Sequence, residues 1–480
     1  MDYPVQQISA LALTEGSNLS STTHPLVIEA PGEASAMSDA LEEEALRLSP
    51  RRILRVTNDP DTILTSLKDG RGVPPPSAQQ WEAQVLLSAT AARIRVVAPR
   101  PDMLEGLPVG DIVRWHGIIA AAKNEAAVTI SGRAFVDMAI PYPTKAWATH
   151  VFPRLAPDDA LDRLSQALAR SFFLHAENPK DAWQRRRQFI NRVVYFVRKR
   201  GLTRLAIKGQ RTDLELALEP PGDWRGSFKY AFNGTGFNAS FPVGGMTATI
   251  VPSGSHGKVH INRPLSLAGQ RISGLDLKIR DGLVTIENAE EGGDVLAEFL
   301  RHAPGTRQLA TVSLPVSGHF PTSRNEAFCN PMMDATTAHG LTLTDPATDG
   351  ALRFDLFFDD DELTIEGTDA DGTTQVLDKL LGSPEAPKAR DWESVHLGEE
   401  DCRVSDLDEM LGNGLALIQN GAIAEGIASL VETERLAKDC FHRFKIVAHD
   451  WESKYQQMDR LKIAEAAREA IDAVQDGTPD

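Results

Sequence analysis

Apolar positions in the first part of the chain follow two alternating rhythms. Residues 25–30 (PLVIEA) form a short apolar run closed by Pro31 and Gly32, which reads as a strand. Over 38–48, Leu41, Ala45 and Leu48 recur at helical spacing beside Glu42, Glu43 and Glu44, which predicts an amphipathic helix. A strand over 52–57, a helix over 86–91, a strand over 94–98 and a helix over 113–123 continue the alternation, and 70–77, with Pro74, Pro75 and Pro76, reads as a loop. Strands that alternate with helices predict a mostly parallel sheet covered on both faces.

From Pro141 the pattern becomes helical, over 158–171 and 183–199. From 202 to 367 strands dominate: Leu214, Leu216 and Leu218 alternate with polar or small residues, as do Leu275, Leu277 and Ile279, and Leu363 with Ile365. Asp281-Gly282 predicts a hairpin turn between two of them. Residues 382–390 have linker composition, and 404–419 and 423–475 carry apolar residues at helical intervals, among them Ile427, Leu430, Leu436, Phe441 and Phe444. The expected organisation is an N-terminal α/β domain with a helical layer over 1–200, a largely antiparallel β domain over 201–380, a linker over 381–403 and a helical extension over 404–480. That extension suits either a helical hairpin packed on the body or an arm through which the chain forms a homodimer or docks a partner protein.

Composition narrows the function. A formal charge of -17 offers no basic excess to replace counterions on a phosphate backbone, which argues against a nucleic-acid partner. The local run 184–187 (QRRR) reads as a solvated helix face. Three cysteines, Cys329, Cys402 and Cys440, without close spacing, read as reduced thiols in the cytoplasm. An N-terminus carrying Asp2 and Glu15 does not read as a signal peptide, and no apolar stretch is long enough to span a membrane.

Motifs with self-sufficient chemistry are few. There is no Gly-x-Ser-x-Gly elbow, and Ser255 beside His256 would point to the opposite face of an extended segment. His256 and His260 would share a strand face after the flexible segment 252–255, but no third ligand is in register. Gly244-Gly245 lacks the helix start that a phosphate loop needs, and the acidic run 359–362 lacks the glycine-containing spacing of a calcium loop.

A series of short segments in a fixed order resembles the thermophilic metallo-aminopeptidases of the aminopeptidase T and aminopeptidase S type. They are 139–153 (AIPYPTKAWATHVFP), 178–183 (NPKDAW), 208–214 (KGQRTDL), 238–242 (NASFP), 263–265 (RPL), 274–275 (GL) and 281–284 (DGLV). The similarity runs from about residue 8 to 368 and implies the leucyl aminopeptidase-like fold for the β-rich domain. It also implies two adjacent divalent ions, zinc, cobalt or manganese, held by about five carboxylates and imidazoles that activate water and polarise the scissile carbonyl.

At those ligand positions the chain departs from the family. Gly245 and Thr311 stand where the resemblance places two glutamates, and Arg353 where it places a histidine; His339 and Asp355 match the remaining two. Each survivor has a second reading, His339 as a hydrogen-bonded histidine and Asp355 as an ion-paired remnant. Residues 353 and 355 share a strand face, so Arg353 is expected to supply Asp355 with the positive charge that a metal would otherwise bring, at a structural worth of a few kcal/mol.

Three functions follow from the resemblance. The first is an accessory or binding protein for a peptide or small molecule that holds no metal. The second is an aminopeptidase with ligands rearranged among His256, His260, His319 and His339. The third is a mononuclear-metal enzyme like the related 2,5-dihydroxypyridine dioxygenase, although Thr311 and Arg353 stand where the two iron-binding histidines would be.

Overall fold

The computed structural model describes residues 3–19, 25–48, 50, 52–88, 91–130, 136–219, 224–230, 236–242, 244–316, 326–346, 352–359, 362–377 and 381. In the C-terminal part it describes 411, 413, 415–418, 422–444, 464–468 and 471. Met1–Ala386 and Pro387–Asp480 form two compact units.

Strands β1 (Leu26–Ala30), β2 (Ile53–Thr57), β3 (Ala92–Val97) and β4 (Asp137–Pro141) pair in parallel in the order β2-β1-β3-β4. Parallel neighbours require crossover connections, and helices Ser35–Arg47, Pro60–Lys68, Ala78–Ser88 and Val109–Ile130 lie in them. The helix expected over 86–91 begins earlier, because Ser77 and Gln80 form a reciprocal capping box: Ser77 Oγ accepts from Gln80 N at 3.2 Å and Gln80 Oε1 accepts from Ser77 N at 2.8 Å.

The helical layer starts at defined caps. Thr144 accepts from Trp147 N at 3.0 Å and opens helix Lys145–Val151. Pro157 and Pro179 occupy the first turns of helices Pro157–Ser171 and Pro179–Lys199, where the missing N–H costs no helical bond. One expectation fails here. Arg186, in the run read as a solvated face, is fully buried, because it falls on the same stripe as Trp183, Ile190, Val193 and Val197.

Among the described residues fourteen further strands follow: β5 (Leu202–Lys208), β6 (Asp213–Leu218), β7 (Arg225–Gly226), β8 (Phe228–Tyr230), β9 (Gly236–Asn238), β10 (Gly245–Ile261), β11 (Leu265–Leu267), β12 (Gln270–Arg280), β13 (Leu283–Glu291), β14 (Gln308–Pro315), β15 (His339–Thr344), β16 (Arg353–Phe358), β17 (Thr364–Asp369) and β18 (Thr374–Val376). All but β8 and β9 join one large antiparallel sheet, with the path β16-β15-β14-β13-β12-β10-β6-β5-β17-β18. Strand β10 is its pivot: its first half pairs with β14, its second half with β12, and β6 lines the other edge across a bulge between Val251 and His256. The segment 252–255 is therefore part of a strand, and not the flexible lead-in expected from its Pro, Ser and Gly content. The predicted hairpin is present between β12 and β13, with both Asp281 and Gly282 at positive φ.

A continuous hydrophobic core joins the two sheets, running from Ile8, Leu26 and Trp183 to Leu214, Phe241, Ile279 and Leu341. In the second unit, helix Ile423–Phe444 contributes Leu430 to a small cluster with Ala467 and Ile471. Cys402 and residues 382–403 of the expected linker lie outside the described residues, as does most of the segment read as helical over 404–419. No helix among the described residues is long and apolar enough to cross a membrane.

Candidate functional site

The five positions that the family pattern points to fall on β10, β14, β15 and β16. Gly245 begins β10 opposite Pro315 of β14. Its surroundings are closed: a Cβ built there would lie 2.8 Å from the Leu314 carbonyl oxygen and 3.0 Å from that of Ala335. At Gly244 a Cβ would lie 2.1 Å from Thr336 Cα. The same backbone is held from the helical layer, where the Arg186 guanidinium donates to the Gly244 carbonyl at 3.0 Å. Desolvation pulls the Arg186 pKa down to about 9, so this interior side chain is still a cation at neutral pH.

Thr311 takes part in a row of residues that runs straight across four strands. Thr249 on β10 faces Thr311 on β14, Thr311 faces Thr342 on β15, and Thr342 faces Asp355 on β16. The Thr342 hydroxyl donates to Asp355 Oδ1, and Arg353 Nη2 reaches both carboxylate oxygens at 3.1 and 3.0 Å. Arg353 thus pairs with Asp355 as expected, but its side chain is 59% exposed against 12% for Asp355. A pair with one partner so well solvated is worth about 0–1 kcal/mol, which corrects the larger contribution expected from the sequence.

His339 is buried at the start of β15, with its ring tilted against Phe358 at 5.8 Å between centroids and Nδ1 3.9 Å from Asp359 Oδ1. It lies three residues from Thr342, the cross-strand neighbour of Asp355, and this odd step carries the imidazole away from the Asp355 face. The structure therefore does not bring His339 and Asp355 together. His256 and His260 go to carboxylates of their own, His256 Nε2 3.5 Å from Glu215 and His260 Nδ1 2.9 Å from Asp276. His319 lies outside the described residues. Among the described residues no three His, Cys, Asp or Glu side chains are grouped to hold a metal ion. The donor set explains why: Gly245 offers no ligand atom, Thr311 a neutral hydroxyl, and Arg353 a fixed positive charge that would repel a dication.

One buried acid escaped the sequence reading. Asp334 accepts from Phe328 N at 2.7 Å through Oδ1 and from Asn330 N at 2.8 Å through Oδ2, and so ties residues 328–334 into a tight turn. Burial pushes its pKa up to about 6 despite those two hydrogen bonds and the charge of Arg263. The available signal was Asn330-Pro331 at a helix start with an acid four residues after the cap. Beside it, burial and the Asp334 charge push the Cys329 thiol up to about 12, so this free thiol is not a nucleophile at neutral pH.

A parallel four-stranded sheet joined through a helical layer to a large antiparallel sheet is the architecture of the aminopeptidase T class of metalloprotease. The fold matches wild-type AmpT from Thermus thermophilus with a TM-score of 0.67 at 23% identity, covering 79% of this chain and 98% of that one. The family model described as thermophilic metalloprotease matches residues 2–344, and the chain belongs to that family. Relatives include aminopeptidase T of Thermus thermophilus, 26% identical over 65% of this chain and 76% of that protein. Aminopeptidase 2 of Geobacillus stearothermophilus is 26% identical over 71% and 83% respectively. The match to aminopeptidase T of Thermus aquaticus is 29% identical and spans 55% of that protein's length.

Proposed function

We propose that this chain is a thermophilic-metalloprotease relative that keeps the aminopeptidase fold without two-metal peptide hydrolysis, and that it serves as an accessory or binding protein. The observation that carries this reading is the chemistry at the ligand positions: no donor at Gly245, a hydroxyl at Thr311 and a guanidinium at Arg353, itself paired with Asp355. Two-metal hydrolysis needs anionic or neutral donors that converge on adjacent cations, and a guanidinium within that set works against the first ion as well as the second. The closed backbone around Gly245 adds a steric reason, because the Cβ of a glutamate there would meet two main-chain oxygens at 2.8 and 3.0 Å.

Metal analysis of the purified, dialysed protein, run beside a leucyl p-nitroanilide assay, tests this. The expected result is less than one tightly bound zinc, cobalt or manganese per chain and no release of p-nitroaniline. Two ions per chain with turnover would instead establish a working aminopeptidase, and a single stoichiometric iron would point to the mononuclear reading.

A further inference from the structure

A cleft of about 630 Å³ opens in Met1–Ala386, and Gly245, Thr311, His339, Arg353 and Asp355 are not among its lining residues. Its walls come from the turn before β6, the β10–β11 connection, β12 and the helix Pro157–Ser171. In a chain of formal charge -17, the described residues that line this space include four arginines, Arg163, Arg211, Arg263 and Arg271, and two carboxylates, Glu326 and Asp359.

The pairing of these cations is uneven. Arg211 is fully engaged, donating to both oxygens of Asp276 at 2.8 and 2.9 Å. It also donates to His260 Nε2 at 3.1 Å; because a guanidinium can only donate, that nitrogen accepts, and His260 Nδ1 carries the proton shared with Asp276 at 2.9 Å. This network locks one wall of the cleft. Arg263 is buried yet reaches Asp359 only at 3.5 Å, and its nearer partner is the Glu326 carbonyl. Arg271 meets Glu291 at 3.7 Å. Arg163 lies 5.0 Å over the Phe152 ring, and among the described residues no carboxylate pairs with it.

Three guanidiniums with loose or no ionic partners around one cavity, on a wall held rigid by the Arg211–Asp276–His260 network, offer forked donors to an incoming anion. We propose that this cleft is a binding site for a small oxyanion, a phosphate or a carboxylate, with Arg163, Arg263 and Arg271 as its ligands and the Phe152 ring as an apolar floor for the rest of the molecule. The volume falls within the roughly 300–1,000 Å³ of small-molecule sites, and guanidiniums bind both oxyanions through paired hydrogen bonds. The site does not depend on whether the chain hydrolyses peptides, since none of the five family ligand positions lines it.

Isothermal titration of the full chain with inorganic phosphate and with tricarballylate, in chloride at constant ionic strength, tests this and separates the two oxyanions. We expect saturable binding of at least one of them at one site per chain. Arg163→Gln and Arg271→Gln should each weaken it about tenfold or more, since each removes a charge-assisted contact. Arg47→Gln, an exposed arginine paired with Glu43 and Glu44 on a remote helix, should bind as the parent does. Absence of binding by both probes, or equal affinity in all the variants, would overturn the proposal.

Discussion

Gly245→Ala is the sharpest probe of the closed backbone at the start of β10. The added Cβ would lie 2.8 Å from one main-chain oxygen and 3.0 Å from another, on β14 and on the turn after helix Pro331–Asp334, and neither can rotate away as a side chain would. Overpacking of this kind costs about 1–3 kcal/mol, offset by about 0.4–1 kcal/mol from the smaller entropy of the unfolded chain. The net loss is then at most about 2.6 kcal/mol. With an unfolding entropy of about 2.1 cal/mol/K per residue over Met1–Ala386, this lowers the melting temperature by up to about 3 °C. Gly245→Glu adds a longer chain and a charge in the same space and should lower it further. Calorimetric melts of both variants beside the parent measure this. If Gly245→Glu, combined with Thr311→Glu and Arg353→His, melted with the parent and took up two zinc ions per chain, the steric argument would be wrong.

Three other outcomes follow from the structure. Arg353→Ala should change stability by less than about 1 kcal/mol, because the guanidinium is 59% exposed; a loss of several kcal/mol in urea unfolding would show that the pair acts as a buried one. Asp334 has a folded pKa raised from 3.8 to about 6, so its proton favours the folded state fully below about pH 4, and this contribution is lost as pH rises through 6. Relative to Asp334→Asn the parent should lose about 3 kcal/mol across that window, and melting curves that stay parallel from pH 4 to 6.5 would contradict the shift. A chain shortened to end at Arg390 removes most of the second compact unit and should change the oligomeric state read by light scattering or abolish capture of a partner; the same oligomeric state and the same partners in a folded shortened chain would reduce the C-terminal helices to an appendage.

Much of the fold was legible because burial imposes a period. Leu214, Leu216 and Leu218 are all buried on β6, and Asp281-Gly282 turns where positive φ is needed at both residues. The misplaced helix Ala78–Ser88 has Trp81 and Val85 on an exposed face, so apolar periodicity misleads there while the Ser77-x-x-Gln80 cap marks the true start. Arg186 was misread because charge was weighed above phase, although its spacing to Trp183 and Ile190 puts it on the buried stripe. Of the positions to which the resemblance pointed, the sequence anticipated that Arg353 would meet Asp355. It could not reveal that the backbone at Gly244 and Gly245 is packed against main-chain atoms at 314, 335 and 336, since that contact joins segments some 70–90 residues apart.

The tight seat of Gly244 and Gly245 bears on the direction in which such a protein can evolve. A side chain lost from an open cleft can return by one codon change and be tested by selection at once. Here the neighbouring strand and turn close on both glycines, and Arg186 is committed to the Gly244 carbonyl. A carboxylate introduced there would be penalised until those segments had shifted, and their shift has no benefit before the carboxylate arrives. On the proposed function, building a two-metal site in the laboratory therefore calls for redesign of residues 333–338 together with the ligands, and not for side-chain changes at the five positions alone.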